Sequence, residues 1–178
     1  MRRSDKAISD VAEMEEILGR VTVGYLGLCD GEAPYVVPVN FVGLDGRIYF
    51  HGAAQGRKMA IILGRGPNRP VAFTVAQSAG FTVGEGACNT GTRYRSVMIR
   101  GTARLVQDDG EKLRALTGLL AKCVPEGGFR PLTLELAAGY RSRRGSTTAV
   151  VAIEIEEMTG KKDGWEDQHY APDDSLGE

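Results

Sequence analysis

Residues 48 to 58 read IYFHGAAQGRK: an apolar alternation, one histidine, a turn bracketed by Gly52 and Gly56, then Arg57 and Lys58 side by side. Glycines that free the backbone, N–H groups at a helix start and two adjacent cations suit a phosphate. A nucleoside triphosphate loop is excluded by spacing. That loop needs four residues between its glycines and Lys-Ser or Lys-Thr after the second, whereas here Ala53, Ala54 and Gln55 lie between the glycines and Arg-Lys-Met follows. Adjacent cations sit badly at the positive end of a helix dipole unless an anion compensates, so the pair still argues for a bound anion.

Other groups with chemical potential are fewer. Arginines cluster at Arg93, Arg95, Arg100 and Arg104 and again in YRSRRG, residues 140 to 145, yet the formal net charge is -1. That balance argues against a generic polyanion binder, whose affinity comes from excess positive charge. Cys29, Cys88 and Cys123 are odd in number and far apart, which fits neither a disulfide framework nor a metal-binding pair, and predicts reduced, mostly buried thiols. The N-terminus, MRRSDKAISD, lacks the apolar run of a signal peptide or membrane span. A cytoplasmic protein is expected.

The elements that must position these residues follow from periodicity. A chain of 178 residues with 42% hydrophobic and 25% charged residues predicts one domain with a real core. Asp10 and Glu13 resemble a capping box before Val11, Met14, Ile17 and Leu18 at helical spacing, ending near Gly19. The period then changes to two. VTVGYLGLC (21 to 29), APYVVPVNFV (33 to 42) and RIYFH (47 to 51), joined by Asp30-Gly31 and Asp45-Gly46 turns, predict a three-strand meander. Both faces of these strands are apolar, as a closed or nearly closed barrel requires.

RKMAIILG (57 to 64) fits a short helix with Gly64 as its cap, and residues 70 to 77 and 94 to 107 resume strand character. Asp108 and Glu111 bracket a second helix, with Leu113, Leu116, Leu120 and Cys123 as its expected apolar face. Residues 147 to 158 alternate as a last strand. The outline is a mainly β, six- to seven-stranded antiparallel barrel with two or three flanking helices over residues 1–160, and residues 161–178 as a polar tail or flap.

YVVPVNF (35 to 41), IYFHGAAQGRK, CNTGTRYRSVMIRGTARLV (88 to 106) and IEIEEMTGKK (153 to 162), in register along nearly the whole chain, resemble the FMN-binding split barrels related to pyridoxamine 5'-phosphate oxidase. Among these the chain is most similar to the 5-nitroimidazole resistance (Nim) group. The resemblance implies that the phosphate is that of FMN, held by Gly52, Arg57 and Lys58. It implies that Pro38, Val39 and Asn40 lie along the isoalloxazine, and that Tyr94, Ser96 and Val97 pass near the flavin and a homodimer seam, with Arg95 pointing the other way. It places His51 beside the flavin ring, where an imidazole with an ordinary pKa near 6.5 can donate a proton to an acceptor. Cys88 matches a cysteine common in the group, with packing as its expected role.

One departure matters. The oxidases proper carry an arginine after a C-terminal tryptophan; here Trp165 and His169 are present, but no arginine follows Trp165. Oxidation of pyridoxamine phosphate is therefore not expected. No G-x-G-x-x-G follows a strand, so NAD(P)H, if it is the donor, docks transiently over the flavin. The expected activity is FMN-dependent electron transfer to a small acceptor such as a nitroaromatic compound. Alternatives are a haem-handling split barrel with His51 or His169 as axial ligand, or a non-catalytic flavin-binding or RNA-binding module.

Overall fold

The computed structural model describes residues 3–64, 69–141, 145 and 147–165. Seven antiparallel strands form one sheet among these residues: β1 (Ala7–Ile8), β2 (Val23–Asp30), β3 (Ala33–Leu44), β4 (Arg47–Ala53), β5 (Arg69–Thr82), β6 (Gly91–Leu105) and β7 (Thr148–Asp163). Their order is β1-β7-β4-β3-β2-β5-β6, and β6 pairs again with β7. Six strands thus close into a barrel, and β1 extends it at the far end of β7 through Ala7 opposite Lys161 and Ile8 opposite Gly160. Closure leaves no free long edge except where β3 and β4 part.

The α-helices among the described residues are α1 (Val11–Arg20), α2 (Arg57–Leu63), α3 (Asp109–Cys123) and α4 (Leu134–Ala138). The expected caps form: Asp10 accepts from the Ala12 N–H at 2.9 Å and Asp108 from the Glu111 N–H at 2.7 Å. Met14, Ile17 and Leu18 of α1 and Met59 and Ile62 of α2 join the barrel interior with Leu26, Phe41, Phe50 and Phe73. Phe41 meets Phe73 edge-to-face at 4.9 Å. A second cluster lies outside the barrel, where Val42, Tyr49 and Val150 pack under Ala115, Leu116 and Leu119 of α3. Each such large apolar side chain contributes about 1.5–3 kcal/mol on full burial. No helix among the described residues is long and apolar enough to cross a membrane.

One feature positions the site. Asp45 and Gly46 both take positive φ, 51° and 70°, the two-residue turn that suits a twisted hairpin. From this turn β3 and β4 pair only as far as Phe41 opposite Phe50. Beyond that, residues 33–40 pair with β2 alone and His51–Ala53 with β7 alone. The two strands part, and the barrel splits on one side. Pro38 lies on the freed edge of β3, where its missing N–H leaves no ladder bond unmade.

The seam at β7 is held by charge as well as by backbone. Arg47 Nε donates to Glu154 at 2.7 and 2.8 Å, and Arg104 Nε donates to the same carboxylate at 2.8 Å. Arg104 also donates to Glu111 of α3 at 2.7 and 3.1 Å, and the Tyr49 hydroxyl donates to Glu111 at 2.8 Å.

Several expectations need correction. The thiols are free, but Cys29, Cys88 and Cys123 are all exposed. Cys29 sits on the outward side of β2 near its end, Cys88 in a 3-10 turn, and Cys123 at the last position of α3, beside the buried stripe. That stripe is Ala115, Leu116 and Leu119, one step round the helix from the expected face. β7 runs to Asp163, so the first three residues assigned to the tail belong to the sheet. His169 and Arg143 and Arg144 lie outside the described residues. Of the first arginine cluster, Arg95, Arg100 and Arg104 each face a carboxylate, so the cluster is not a free cationic patch.

Candidate functional site

Side chains alternate along a strand, and on β4 that alternation divides the candidate residues. Phe50 is fully buried in the barrel interior; His51 therefore leaves the strand outward, on the side of Tyr49. There it lines a cleft of about 170 Å³ with Asn40 of β3, Leu116, Leu119, Leu120 and Cys123 of α3, and Tyr140. The His51 and Tyr140 rings lie 6.0 Å apart, inclined at 72°. Burial pushes the imidazole below its ordinary pKa, and the Lys58 ammonium pushes it the same way. His51 is held largely neutral near pH 7, and its second proton is easily given up.

Lys58 occupies the other side of the split. Its ammonium stands 5.2 Å from the Phe50 ring centroid, and a Cβ at Gly52 would lie 2.9 Å from it. A side chain there would have to displace the flexible end of the lysine. Burial lowers the Lys58 pKa, and among the described residues no carboxylate or hydrogen-bond acceptor pairs with it. Arg57 differs. Its Nε donates to Asp30 at 2.7 Å, and its guanidinium lies 4.6 Å from the Tyr35 ring centroid. A half-buried cation without a counter-ion, above a bare stretch of backbone, is suited to an incoming anion, and the arrangement fits a phosphate monoester.

The remaining candidates fall into three positions. Pro38 and Asn40 are exposed on the outer face of β3, with the Asn40 amide donating to the Thr22 carbonyl at 3.3 Å. Val39 and Val97 are buried in the interior, so only their backbone can meet a ligand. Tyr94 and Ser96 are half-buried on β6. Arg95 is opposite to Tyr94 and Ser96, as expected, but shares its side with Val97, a correction that strand alternation requires. Arg95 is 1% exposed, receives Gln77 and Glu16 as partners at 2.8 and 3.4 Å, and lies 4.3 Å from the Trp165 ring centroid.

One chain does not bring all these residues together. His51 lies opposite Val150 on β7, whereas Ser96 lies opposite Lys161, roughly 35 Å further along an extended strand. The outer faces of β3, β2, β5 and β6 nevertheless form one exposed surface. Pro38, Tyr25, Thr74 and Met98 stand in a cross-strand row, flanked by Val23 and Val36; Tyr25 is 51% exposed, Met98 57% and Val36 62%. Tyr140 and the leucines of α3 escaped sequence reasoning as lining residues. The leucines' only signal was a helical period, which reads equally as core, and Tyr140 stood out only as the start of the arginine-rich YRSRRG stretch.

The pyridoxamine 5'-phosphate oxidase family model matches residues 10–162. No functionally curated protein matches the sequence. Among solved structures, a candidate 5-nitroimidazole antibiotic resistance protein from Bacteroides thetaiotaomicron is 26% identical, with a TM-score of 0.67, covering 87% of this chain and 85% of its own. The flavocytochrome Anf3 from Azotobacter vinelandii is 24% identical with a TM-score of 0.74, covering 97% and 78%. A FAD and heme binding protein from Mycobacterium smegmatis is 21% identical with a TM-score of 0.74, covering 97% and 80%. The last two likenesses concern the fold.

Proposed function

The chain belongs to the pyridoxamine 5'-phosphate oxidase family, and from that premise we propose that it is a flavin-binding oxidoreductase. In this reading it holds FMN at the barrel split and passes electrons to a small acceptor such as a nitroaromatic compound, with NAD(P)H as donor. The observation that carries the reading is the Lys58 ammonium, half-buried beside Gly52 with no acidic partner among the described residues. A phosphate there gives it the counter-charge that the fold withholds.

The cofactor, when bound, supplies the electron transfer. The chain supplies position and protons. Lys58 holds the phosphate as a point charge; Arg57 assists from its pairing with Asp30. Pro38, Val39 and Asn40 offer an edge of backbone and an amide at the parted strand. Tyr94, Ser96 and the backbone of Val97 complete the site from a second copy, since one chain holds them far from His51. His51 holds or gives a proton at its imidazole, facing the cleft in which the acceptor sits.

Lys58→Ala is expected to weaken FMN binding tenfold or more, because a charge-assisted hydrogen bond contributes about 1.5–3 kcal/mol. Arg57→Ala, whose guanidinium already has a carboxylate, is expected to cost less. Flavin fluorescence titration measures both, and an unchanged affinity in Lys58→Ala refutes the phosphate assignment.

A further inference from the structure

A second pocket, of about 270 Å³, shares Tyr140 with the cleft at His51. It lies where Ala54 leaves β4, pinned by its N–H to the Thr147 carbonyl at 3.0 Å, between the start of β7, the end of β6 and the helices α3 and α4. We propose that this pocket binds an adenylate group, the adenosine 5'-phosphate end of a dinucleotide.

Size is the first argument. A closed cavity of about 150 Å³ accepts benzene, so this pocket has room for a fused two-ring base, where the cleft at His51 has room for one ring. Chemistry is the second. The buried part of the lining is apolar, made by Val106, Ala137, Ala149 and Val150, and the Tyr140 ring gives a wall on which a base can stack. Gln107 stands at the lining as the end of β6 turns toward α3. Its amide carries a donor and an acceptor side by side, the pair that reads the N6 and N7 edge of adenine. Two cations, Lys112 and Arg141, lie at the rim. Lys112 is paired with Asp109 at 2.7 Å, while the described partner of Arg141 is only the Gly145 carbonyl, at 3.0 Å. A guanidinium carries five N–H donors, so Arg141 can also serve a phosphate. Because Tyr140 borders both pockets, a dinucleotide seated here directs its other end toward His51.

The pocket's ligand does not depend on the flavin reading, and 5'-AMP alone tests it. Protein carrying FMN, or carrying no flavin should that reading fail, is titrated with AMP and with adenosine by calorimetry. Saturable AMP binding is expected, with adenosine about tenfold weaker. Gln107→Ala is expected to weaken both ligands, and Arg141→Gln to weaken AMP down to the level of adenosine. Both substitutions are on the surface, and an unchanged melting temperature shows that the fold is kept. Competition of AMP with FAD, but not with FMN, assigns the adenylate to a flavin dinucleotide; competition with NADH or NADPH during flavin reduction assigns it to the donor. No saturable AMP binding, or AMP binding that the double variant keeps, overturns the inference.

Discussion

His51 at the end of β4 and Lys58 at the start of α2 are neighbours in sequence, and the lysine weakens the charge of the histidine. Burial and the Lys58 ammonium both lower the imidazole pKa; an anion seated on Lys58 relieves part of that repulsion. If protonated His51 is the donor to the acceptor, the oxidative rate falls as pH rises, through a value below the ordinary 6.5. His51→Ala is expected to leave flavin binding and reduction nearly intact and to slow the oxidative half-reaction by roughly 10²- to 10⁴-fold, with the pH dependence gone. Stopped-flow oxidation of the reduced variant at the wild-type rate would remove His51 from the chemistry. The adjacency of His51, Gly52 and Lys58 was legible because strand, turn and helix start are consecutive. Asp30, which takes up the charge of Arg57, was not: the two residues lie 27 positions apart, and only the path of β2 brings them together. The exposure of the three thiols was equally hidden, since composition gives a cysteine's usual burial and not its place on a helix or strand.

At the scale of elements, turns and periods defined the meander and both capped helices, because those signals are local. The pairing of β7 with β4 on one edge and β6 on the other was not local. It shows up in sequence only as a long alternating strand, and the ion network that secures it joins residues as far apart as Arg47 and Glu154. Hydrogen bonds from Arg104 and Tyr49 hold Glu111 below its ordinary pKa against the opposing effect of burial. Burial alone would raise Glu154, but Arg104 and Arg47 outweigh it and its pKa is also lowered. Carboxylates with depressed folded pKa values stabilise above the unfolded value near 4.3 and lose that contribution as pH falls through the folded value. Glu111→Gln is therefore expected to lower the melting temperature at pH 7 by several degrees, at about 2–4 °C per kcal/mol for a chain of this size. It should also flatten the fall in melting temperature from pH 5 to pH 3. Thermal scans across that range check both, and an unchanged acid slope would show that the network carries no linkage.

At the scale of the molecule, the helices among the described residues leave one side bare. α3 and α4 cover the outer face near β4 and β7, α1 and α2 contribute to the interior, and the row Pro38, Tyr25, Thr74 and Met98 stays open. An exposed apolar sheet face that also carries candidate ligand residues is suited to a second copy. A homodimer with two equivalent sites is expected by sedimentation. Tyr25→Glu with Met98→Glu is expected to yield a folded monomer with much weaker flavin binding. A wild-type mass of one chain with flavin fully bound would contradict the shared site. The barrel itself was legible from strands apolar on both faces; the split was legible only through the family resemblance, because in the pattern nothing but Pro38 marks where β3 and β4 part.

The seam has a consequence for how the chain is made. The strand that closes the barrel is the last of the described strands to leave the ribosome, and its partner β4 is finished at Ala53, about 95 residues before Thr148 appears. At roughly 5–20 residues per second, β4 waits some 5–20 seconds with an open edge during each round of synthesis. The fold is thus sealed from its C-terminal side, and a nascent chain that pauses before β7 presents two unpaired strand edges to its neighbours.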